Sequence, residues 1–246
     1  MKKDRKKERE SAVRPLQKMF TAVPPSYDLI NRLITFRFDE RWRNKAAAVM
    51  LQDKPGQVLD LCTGSGDLAM HLHKRATSDT AIYALDYSEP MLELARQKAG
   101  KRGAQRINFL LEDAAAMPFE NDYFDVIGIA FAFRNLTFRN PDKCLFLNEI
   151  LRILKPGGKF VIVETSQPSN MLLQRLFHFY MRWITVPLGG MLSGQRHAYH
   201  YLAHSAIHFY SPAELIDMMK DAGFDLMLHR PYFGGISAIW AFKKPV

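Results

Sequence analysis

Residues 58–67 read Val-Leu-Asp-Leu-Cys-Thr-Gly-Ser-Gly-Asp, and this stretch decides the fold. Val58 to Leu61 form a short apolar run suited to a buried strand. Gly64 and Gly66 then let the backbone turn tightly beside a ligand. A helix expected from Asp67 to about Arg75 points its N-terminus at whatever sits over that turn. An acid, Asp60, stands just before the turn, and Ser65 lies within it. A loop with both a carboxylate and free amides suits S-adenosyl-L-methionine, which carries a cationic sulfonium, an ammonium and a carboxylate. A pyrophosphate would be repelled by Asp60. Gly64-Ser65-Gly66-Asp67-Leu68-Ala69 nevertheless fits the dinucleotide pattern G-x-G-x-x-G/A, and an ordinary strand-to-helix turn without a ligand would read the same way. The turn alone leaves all three readings open.

Two further motifs narrow them. Ala84-Leu85-Asp86-Tyr87-Ser88 places Asp86 twenty residues past Gly66, at the end of the next strand. An acid there accepts from two ribose hydroxyls. Proteins that bind NAD share this feature, so it supports a nucleoside without naming the rest. The plainer role is to cap the helix near Glu89, a job also open to Ser88. The next motif is Glu112-Asp113-Ala114-Ala115-Ala116-Met117-Pro118-Phe119, followed by Phe124-Asp125. Asp113 is placed to accept from an adenine amino group, and the Ala114 amide to meet a ring nitrogen. An acid-Ala step, Pro-Phe and Phe-Asp in this order are typical of S-adenosyl-L-methionine enzymes. With all three motifs in register, that cofactor is the expected one.

From Val58 onward the pattern alternates strand and helix. Strands are expected near 58–62, 81–86, 107–111, 124–130, 159–164, 224–229 and 235–242, and helices near 67–75, 89–101, 141–154 and 212–222. This predicts an α/β fold: a doubly wound, mostly parallel seven-stranded sheet with ligands at the carboxyl ends of its strands. The last two runs, joined through Pro231 and Gly234-Gly235, read as a hairpin with an antiparallel edge strand. Residues 1–18 form a basic tail, 19–50 a helical cap broken by Pro24-Pro25, and 51–246 the main domain. Ser11 to about Met50 reads as helical apart from that break. Within the main domain, 171–209 form an insertion. There Leu172, Leu173, Leu176, Phe177, Tyr180, Trp183 and Ile184 follow a helical apolar spacing until Pro187, which is expected to stop the helix. Arg182 and Arg196 enclose thirteen uncharged residues, too few for the roughly 20 that span a bilayer. A core-facing helix is the plain reading; a lid over an apolar substrate, touching the membrane, is the functional one.

The composition sets outer bounds. With 246 residues and 48% hydrophobic content, the chain has enough material for one α/β domain plus a lid. Two cysteines, Cys62 and Cys144, suit a reducing cytosol, and no secretory signal is expected. The eight His and two Cys lack metal-ligand spacing, so no metal is expected. The net charge is +9, and the first ten residues hold six Lys/Arg against three Asp/Glu. The plain reading is a solvated, frayed terminus and the functional one is attraction to an anionic membrane or nucleic acid; charge alone does not choose between them.

The fourth strand runs through Ile127-Gly128-Ile129-Ala130 into Phe131-Ala132-Phe133-Arg134-Asn135. In this topology the residues after Ala130 face the transferred methyl, and Ala130 itself counts with the cofactor residues. The Asn/Asp-Pro-Pro-aromatic run common in enzymes that methylate nucleobase amines or glutamine is missing. Aromatics followed by Arg134-Asn135 suit a flat apolar acceptor with an ionisable oxygen.

The chain resembles the ubiquinone/menaquinone biosynthesis C-methyltransferase family. The resemblance rests on Tyr27-Asp28-Leu29-Ile30-Asn31 with Trp42, the Gly64–Asp67 loop, Phe133-Arg134-Asn135-Leu136-Thr137, and Arg152-Ile153-Leu154-Lys155-Pro156-Gly157-Gly158-Lys159 leading to Glu164-Thr165-Ser166. Tyr199-His200-Tyr201-Leu202, Ala222-Gly223-Phe224 and Gly234-Gly235-Ile236 also fit. It covers nearly everything after residue 18. The chain departs from the family pattern at Thr35, Asp39, Ser65 and Phe138-Arg139, where Ser, His, Thr and an acid are usual. The resemblance implies a Rossmann-like, class I methyltransferase that moves a methyl from S-adenosyl-L-methionine to a ring carbon of a polyprenylated quinol, either a demethylmenaquinol or a ubiquinol precursor. It implies a cytoplasmic enzyme in peripheral contact with the inner face of the membrane. Arg134 is the expected catalytic cation and Asn135 the group that orients the hydroxyl, with Asp67, His197, His200 and Tyr201 as candidate bases. Other readings are methyl transfer to another apolar phenol or to RNA, or cofactor binding without catalysis. The missing Pro-Pro step argues against nucleic acid, and the oligomeric state is open.

Overall fold

Alternating apolar runs and amphipathic helices fold into a single twisted sheet. The computed structural model describes residues 27–246. Two helices come first, α1 (Tyr27–Ile34) and α2 (Phe38–Met50). The alternating body follows: β1 (Gln57–Leu61), α3 (Asp67–Arg75), β2 (Ala81–Asp86), α4 (Glu89–Lys101), β3 (Ile107–Leu111), β4 (Phe124–Ala130), α5 (Phe133–Thr137), α6 (Lys143–Ile153) and β5 (Leu154–Thr165). The insertion holds α7 (Met171–Tyr180), a π-helical turn (Met181–Thr185), α8 (Val186–Ser193) and α9 (Arg196–Ile207). The chain closes with α10 (Pro212–Asp221), β6 (Asp225–Tyr232) and β7 (Ser237–Lys243).

The seven strands lie in the order β3-β2-β1-β4-β5-β7-β6. All pairings are parallel except those of β7, which runs antiparallel to both β5 and β6. The order reverses between β1 and β4, which opens a crevice at their carboxyl ends. One face of the sheet buries Leu59, Ile127, Ile129, Phe160 and Trp240 against α6 and α10. The other buries Val58, Val126, Val161 and Ile239 against α2 and α3. Burial on both faces is what turns the central strands into near-continuous apolar runs. Gly128 allows α2 to sit close: a Cβ there would lie 2.4 Å from Met50 Sδ and Cε.

The helices α3, α4, α6 and α10 begin and end within two residues of the expected bounds. Other expectations need correction. The tail, the cap up to residue 26 and the Pro24-Pro25 break lie outside the described residues. Within the cap, the helical reading up to Met50 fails at residues 35–37. Phe36 and Arg37 adopt left-handed conformations (φ 51° and 61°), and the Arg37 amide donates to Arg32 O at 2.8 Å. This ending is usually marked by glycine, and its absence hid the break.

Pro187 does not stop the insertion helix. The Val186 amide reaches back five residues to Met181 O, and the widened turn lets Pro187 sit in the first turn of α8, where its missing N–H is not needed. The apolar stripe of α7 also faces differently from a core helix. Phe177 is buried, whereas Leu172, Leu176, Trp183 and Ile184 face solvent. The helix α5 falls outside the expected helices, and α9 lies within the helical insertion without a marked start. No side chain caps either N-terminus, so neither start is signalled. No helix among the described residues is long and apolar enough to cross a membrane.

Gly128→Ala should destabilise the fold by about 1–3 kcal/mol, because Met50 must vacate its seat against the sheet. In denaturant unfolding, Met50→Ala should cost less in that background than in the native chain. Strictly additive costs would contradict the close approach.

Candidate active site

The glycine loop is held from below by acids. Past β1, Cys62 turns left-handed (φ 54°), and Gly66 (φ 81°) leads into α3. A Cβ on Gly66 would lie 3.0 Å from Ala95 Cβ, so α4 packs close under the turn. Asp60 Oδ2 accepts from Thr63 Oγ1 (2.5 Å) and from the Ala69 amide (2.9 Å). Asp86 accepts from the Gly64 amide at Oδ2 (2.8 Å) and from the Ser88 amide at Oδ1 (2.9 Å). Its carboxylate thus starts α4, while the Ser88 hydroxyl makes no capping bond. Asp113 lies just past β3, where Oδ1 accepts from the Ala115 amide at 2.8 Å. The Ala114 amide has no protein acceptor among the described residues.

The electrostatics of this floor favour a cation. Burial pushes the Asp60 carboxyl up to about 7, against the hydrogen bonds from Thr63 and Ala69, and also raises Asp86. Burial, then Asp86, Asp60 and Asp113, push the Cys62 thiol well up. Three acids therefore converge on one spot under the loop. That donor set fits S-adenosylmethionine, whose sulfonium and ammonium relieve the acids, and opposes a pyrophosphate.

The cap is latched over the same loop. Ser65 Oγ donates to Asp28 Oδ1 (2.6 Å), and Lys98 Nζ pairs with Asp28 Oδ2 (2.6 Å) and with Asp67. Burial alone would raise the Asp28 carboxyl; Lys98, Ser65 and Arg32 outweigh it and hold it down. Arg32 bridges Asp67 (3.4 Å) and Glu40 (3.2 Å). Asp67 is thus bound up in ion pairs at the foot of the cap.

On the other side of the crevice, β4 ends at Ala130, and Phe131 follows with a left-handed backbone (φ 58°). The Arg43 guanidinium lies 4.9 Å from the Phe131 ring centroid. Trp42 and Phe233 extend this aromatic wall. Arg134 begins the first turn of α5 with its side chain nearly buried. Its Nη1 pairs with Glu164 Oε1 (2.6 Å) and donates to Phe131 O (3.1 Å), and its Nε donates to Ser205 Oγ (3.2 Å). Nη2 has no protein acceptor among the described residues. Tyr201 Oη donates to Asn135 Oδ1 at 3.4 Å, and burial pushes that hydroxyl up against the pull of Arg134. His197 and His200 lie on exposed positions of α9.

The fold thus gathers Asp60, Gly64, Ser65, Gly66, Asp86, Asp113 and Ala114 at the ends of β1–β3, and Ala130, Arg134 and Asn135 at the end of β4. Sequence reasoning did not assign Glu164, Ser205, Asp28 or Lys98 to the site. Glu164 carried a signal: it follows the apolar run Phe160–Val163, and Val163 pairs with Ala130, so the acid must emerge beside Arg134.

The model of the ubiE/COQ5 methyltransferase family matches residues 3–244. The chain belongs to that family. The Ubiquinone/menaquinone biosynthesis C-methyltransferase UbiE of Geobacter sulfurreducens is 38% identical over 230 residues, covering 93% of this chain and 88% of its own length. The Demethylmenaquinone methyltransferase of Thermus thermophilus is 40% identical over 227 residues, covering 92% and 100%. Among solved structures, a SAM dependent methyltransferase from Aquifex aeolicus shares the fold with a TM-score of 0.62 at 21% identity, covering 90% of this chain and 98% of its own. The chain is therefore an S-adenosylmethionine-dependent methyltransferase of quinone biosynthesis, and the dinucleotide reading falls away.

At the positions where this member departs from the family pattern, the side chains have clear tasks. Ser65 keeps the hydroxyl that reaches Asp28. Thr35 Oγ1 donates to Asp39 Oδ1 (2.7 Å), and Asp39 Oδ2 pairs with Arg43 (2.6 Å). Arg139 lies 5.3 Å over the Phe138 ring.

A bound cation favours the ionised form of Asp60, so cofactor binding lowers its pKa and releases a proton below about pH 7. Cofactor affinity should be flat above about pH 7 and fall by up to about tenfold per unit below it, and Asp60→Asn should flatten the profile. Calorimetry in buffers of different ionisation enthalpy measures both. A flat profile in the native chain would contradict the coupling.

Proposed function

We propose that this chain methylates a ring carbon of a polyprenylated quinol, either a demethylmenaquinol or a ubiquinol precursor. One observation carries the reading: a buried guanidinium, Arg134, with one nitrogen unclaimed among the described residues, beside Asn135 and Tyr201 and next to an aromatic wall. Bound over the glycine loop, S-adenosylmethionine supplies an electrophilic methyl on a sulfonium. Asp60, Asp86, the Ala114 amide and the Gly64-Ser65-Gly66 loop would hold its charged and adenosine parts. The loop and cap fix that position, so that the remaining demand is alignment of the acceptor.

Arg134 Nη2 donates to the ring oxygen and favours its ionised form, whose proton passes to solvent; the neighbouring ring carbon becomes nucleophilic, takes the methyl, and gives up its own proton to restore the hydroxyl. Because Glu164 balances the charge of Arg134, the help comes as an aimed hydrogen bond rather than as a free cation. The Asn135 amide orients the same oxygen. Tyr201, raised by burial, stays a neutral donor and braces Asn135. Tyr201 and Ser205 stand four residues apart on α9 and reach Asn135 and Arg134. We take the 171–209 insertion to be a lid whose closure sets the catalytic pair. A polyprenylated acceptor resides in a bilayer, so the enzyme works from the cytosol at the inner membrane face.

Arg134→Ala would strand buried Glu164, at a cost of about 3–5 kcal/mol, so Arg134→Lys is the cleaner variant. It keeps the charge and loses the fork. Turnover should fall by about a hundredfold or more while cofactor affinity holds. Unchanged turnover would remove Arg134 from the chemistry. The substrate is tested with labelled S-adenosylmethionine and detergent-dispersed acceptors of both kinds. Label in at least one quinol is expected; label in neither, with cofactor bound, contradicts the reading.

A further inference from the structure

The outside of the lid carries a large apolar stripe that nothing among the described residues covers. Leu172, Leu176, Phe179, Trp183 and Met191 follow one another at intervals of three, four and eight residues along α7, the π-turn and α8, and so share one side. All are more than half exposed, Trp183 at 69% and Met191 at 76%. The cap extends the surface: Phe36, 71% exposed, lies with its ring centroid 6.4 Å from that of Tyr180, whose hydroxyl donates to Ile34 O at 2.7 Å. Single exposed apolar side chains need no explanation, but a continuous stripe of this length does.

The charge around the stripe is one-sided. The 49 residues between Glu164 and Glu214 contain no Asp or Glu. They contain three arginines, Arg175, Arg182 and Arg196, all exposed. Two of these stand on the stripe's own helical path. An amphipathic helical surface with Trp, Phe and Leu on one side and Arg beside it matches an anionic lipid interface. An isologous contact between copies of the chain would set these arginines against one another, with no acid in the segment to relieve them.

We infer that the outer face of the lid docks on an anionic phospholipid bilayer, with Leu176, Phe179 and Trp183 entering the acyl boundary and Arg175 and Arg182 meeting phosphates. The inference deepens the reading of the acceptor as a membrane-dissolved quinol by naming the face and the lipid charge. Docking can be measured with no acceptor present, so it stands or falls separately from that reading.

The test uses the full chain and the emission of Trp183. The other two tryptophans, Trp42 and Trp240, are buried, so a change on adding vesicles reports Trp183. Equimolar phosphatidylglycerol–phosphatidylcholine vesicles should shift the emission to the blue and sediment the protein at least about tenfold better than phosphatidylcholine alone, with salt weakening the effect. Leu176→Asp combined with Phe179→Asp should reduce sedimentation by about tenfold or more, while cofactor affinity and turnover of a tail-free acceptor stay unchanged. Equal binding of the double variant would overturn the proposal. So would equal binding to neutral vesicles. A dimer in vesicle-free buffer with Trp183 already shielded would overturn it too, since a second copy would then cover the stripe.

Discussion

Two carboxylates at the ends of adjacent parallel strands, Asp60 and Asp86, hold the loop on which the rest of the molecule depends. Between them they accept from Thr63, Gly64, Ala69 and Ser88, and so fix the turn, the start of α3 and the start of α4 together. Hydrogen bonds to charged acceptors contribute about 1.5–3 kcal/mol each. The same burial that makes these bonds strong also penalises the charged form of each carboxyl, which is why both are raised. A site that concentrates negative charge in this way is built around a positive ligand. The charge preference of the crevice and the shape of the loop thus have one cause.

The acceptor side repeats the principle with opposite sign. Arg134 is a buried cation, and Glu164 on the neighbouring strand makes its burial tolerable. Ser205 ties the guanidinium to α9, and Tyr201 ties Asn135 to the same helix. On the cofactor side, Asp28 and Arg32 tie the cap to Ser65 and Asp67. Both α1 and α9 therefore reach the strand ends through polar contacts.

Much of this was legible in the sequence where one residue pattern has one structural solution. Val58–Asp67 announced strand, turn and helix because glycine at a left-handed turn before an amphipathic helix permits little else. The central strands of the sheet were readable as apolar runs because they are buried on both faces. The failures have equally local causes. Phe36 and Arg37 end a helix in the manner of glycine without being glycine, and Pro187 was tolerated because a π-turn precedes it. The stripe of α7 was periodic, but periodicity alone does not say whether an apolar side faces the core or the solvent. The partnership of Arg134 with Glu164 spans thirty residues. It required the pairing of β4 with β5, which no single motif contains.

The most direct measurement of the central claim is calorimetric binding of S-adenosylmethionine, and of NAD as a control, to the native chain and to Asp86→Asn. The native chain should bind S-adenosylmethionine and not NAD. Asp86→Asn should weaken that binding by about tenfold or more, in keeping with the loss of a charged hydrogen-bond acceptor. Equal affinity in the two proteins, or binding of NAD to the native chain, would contradict a site built by its acids for a cationic cofactor.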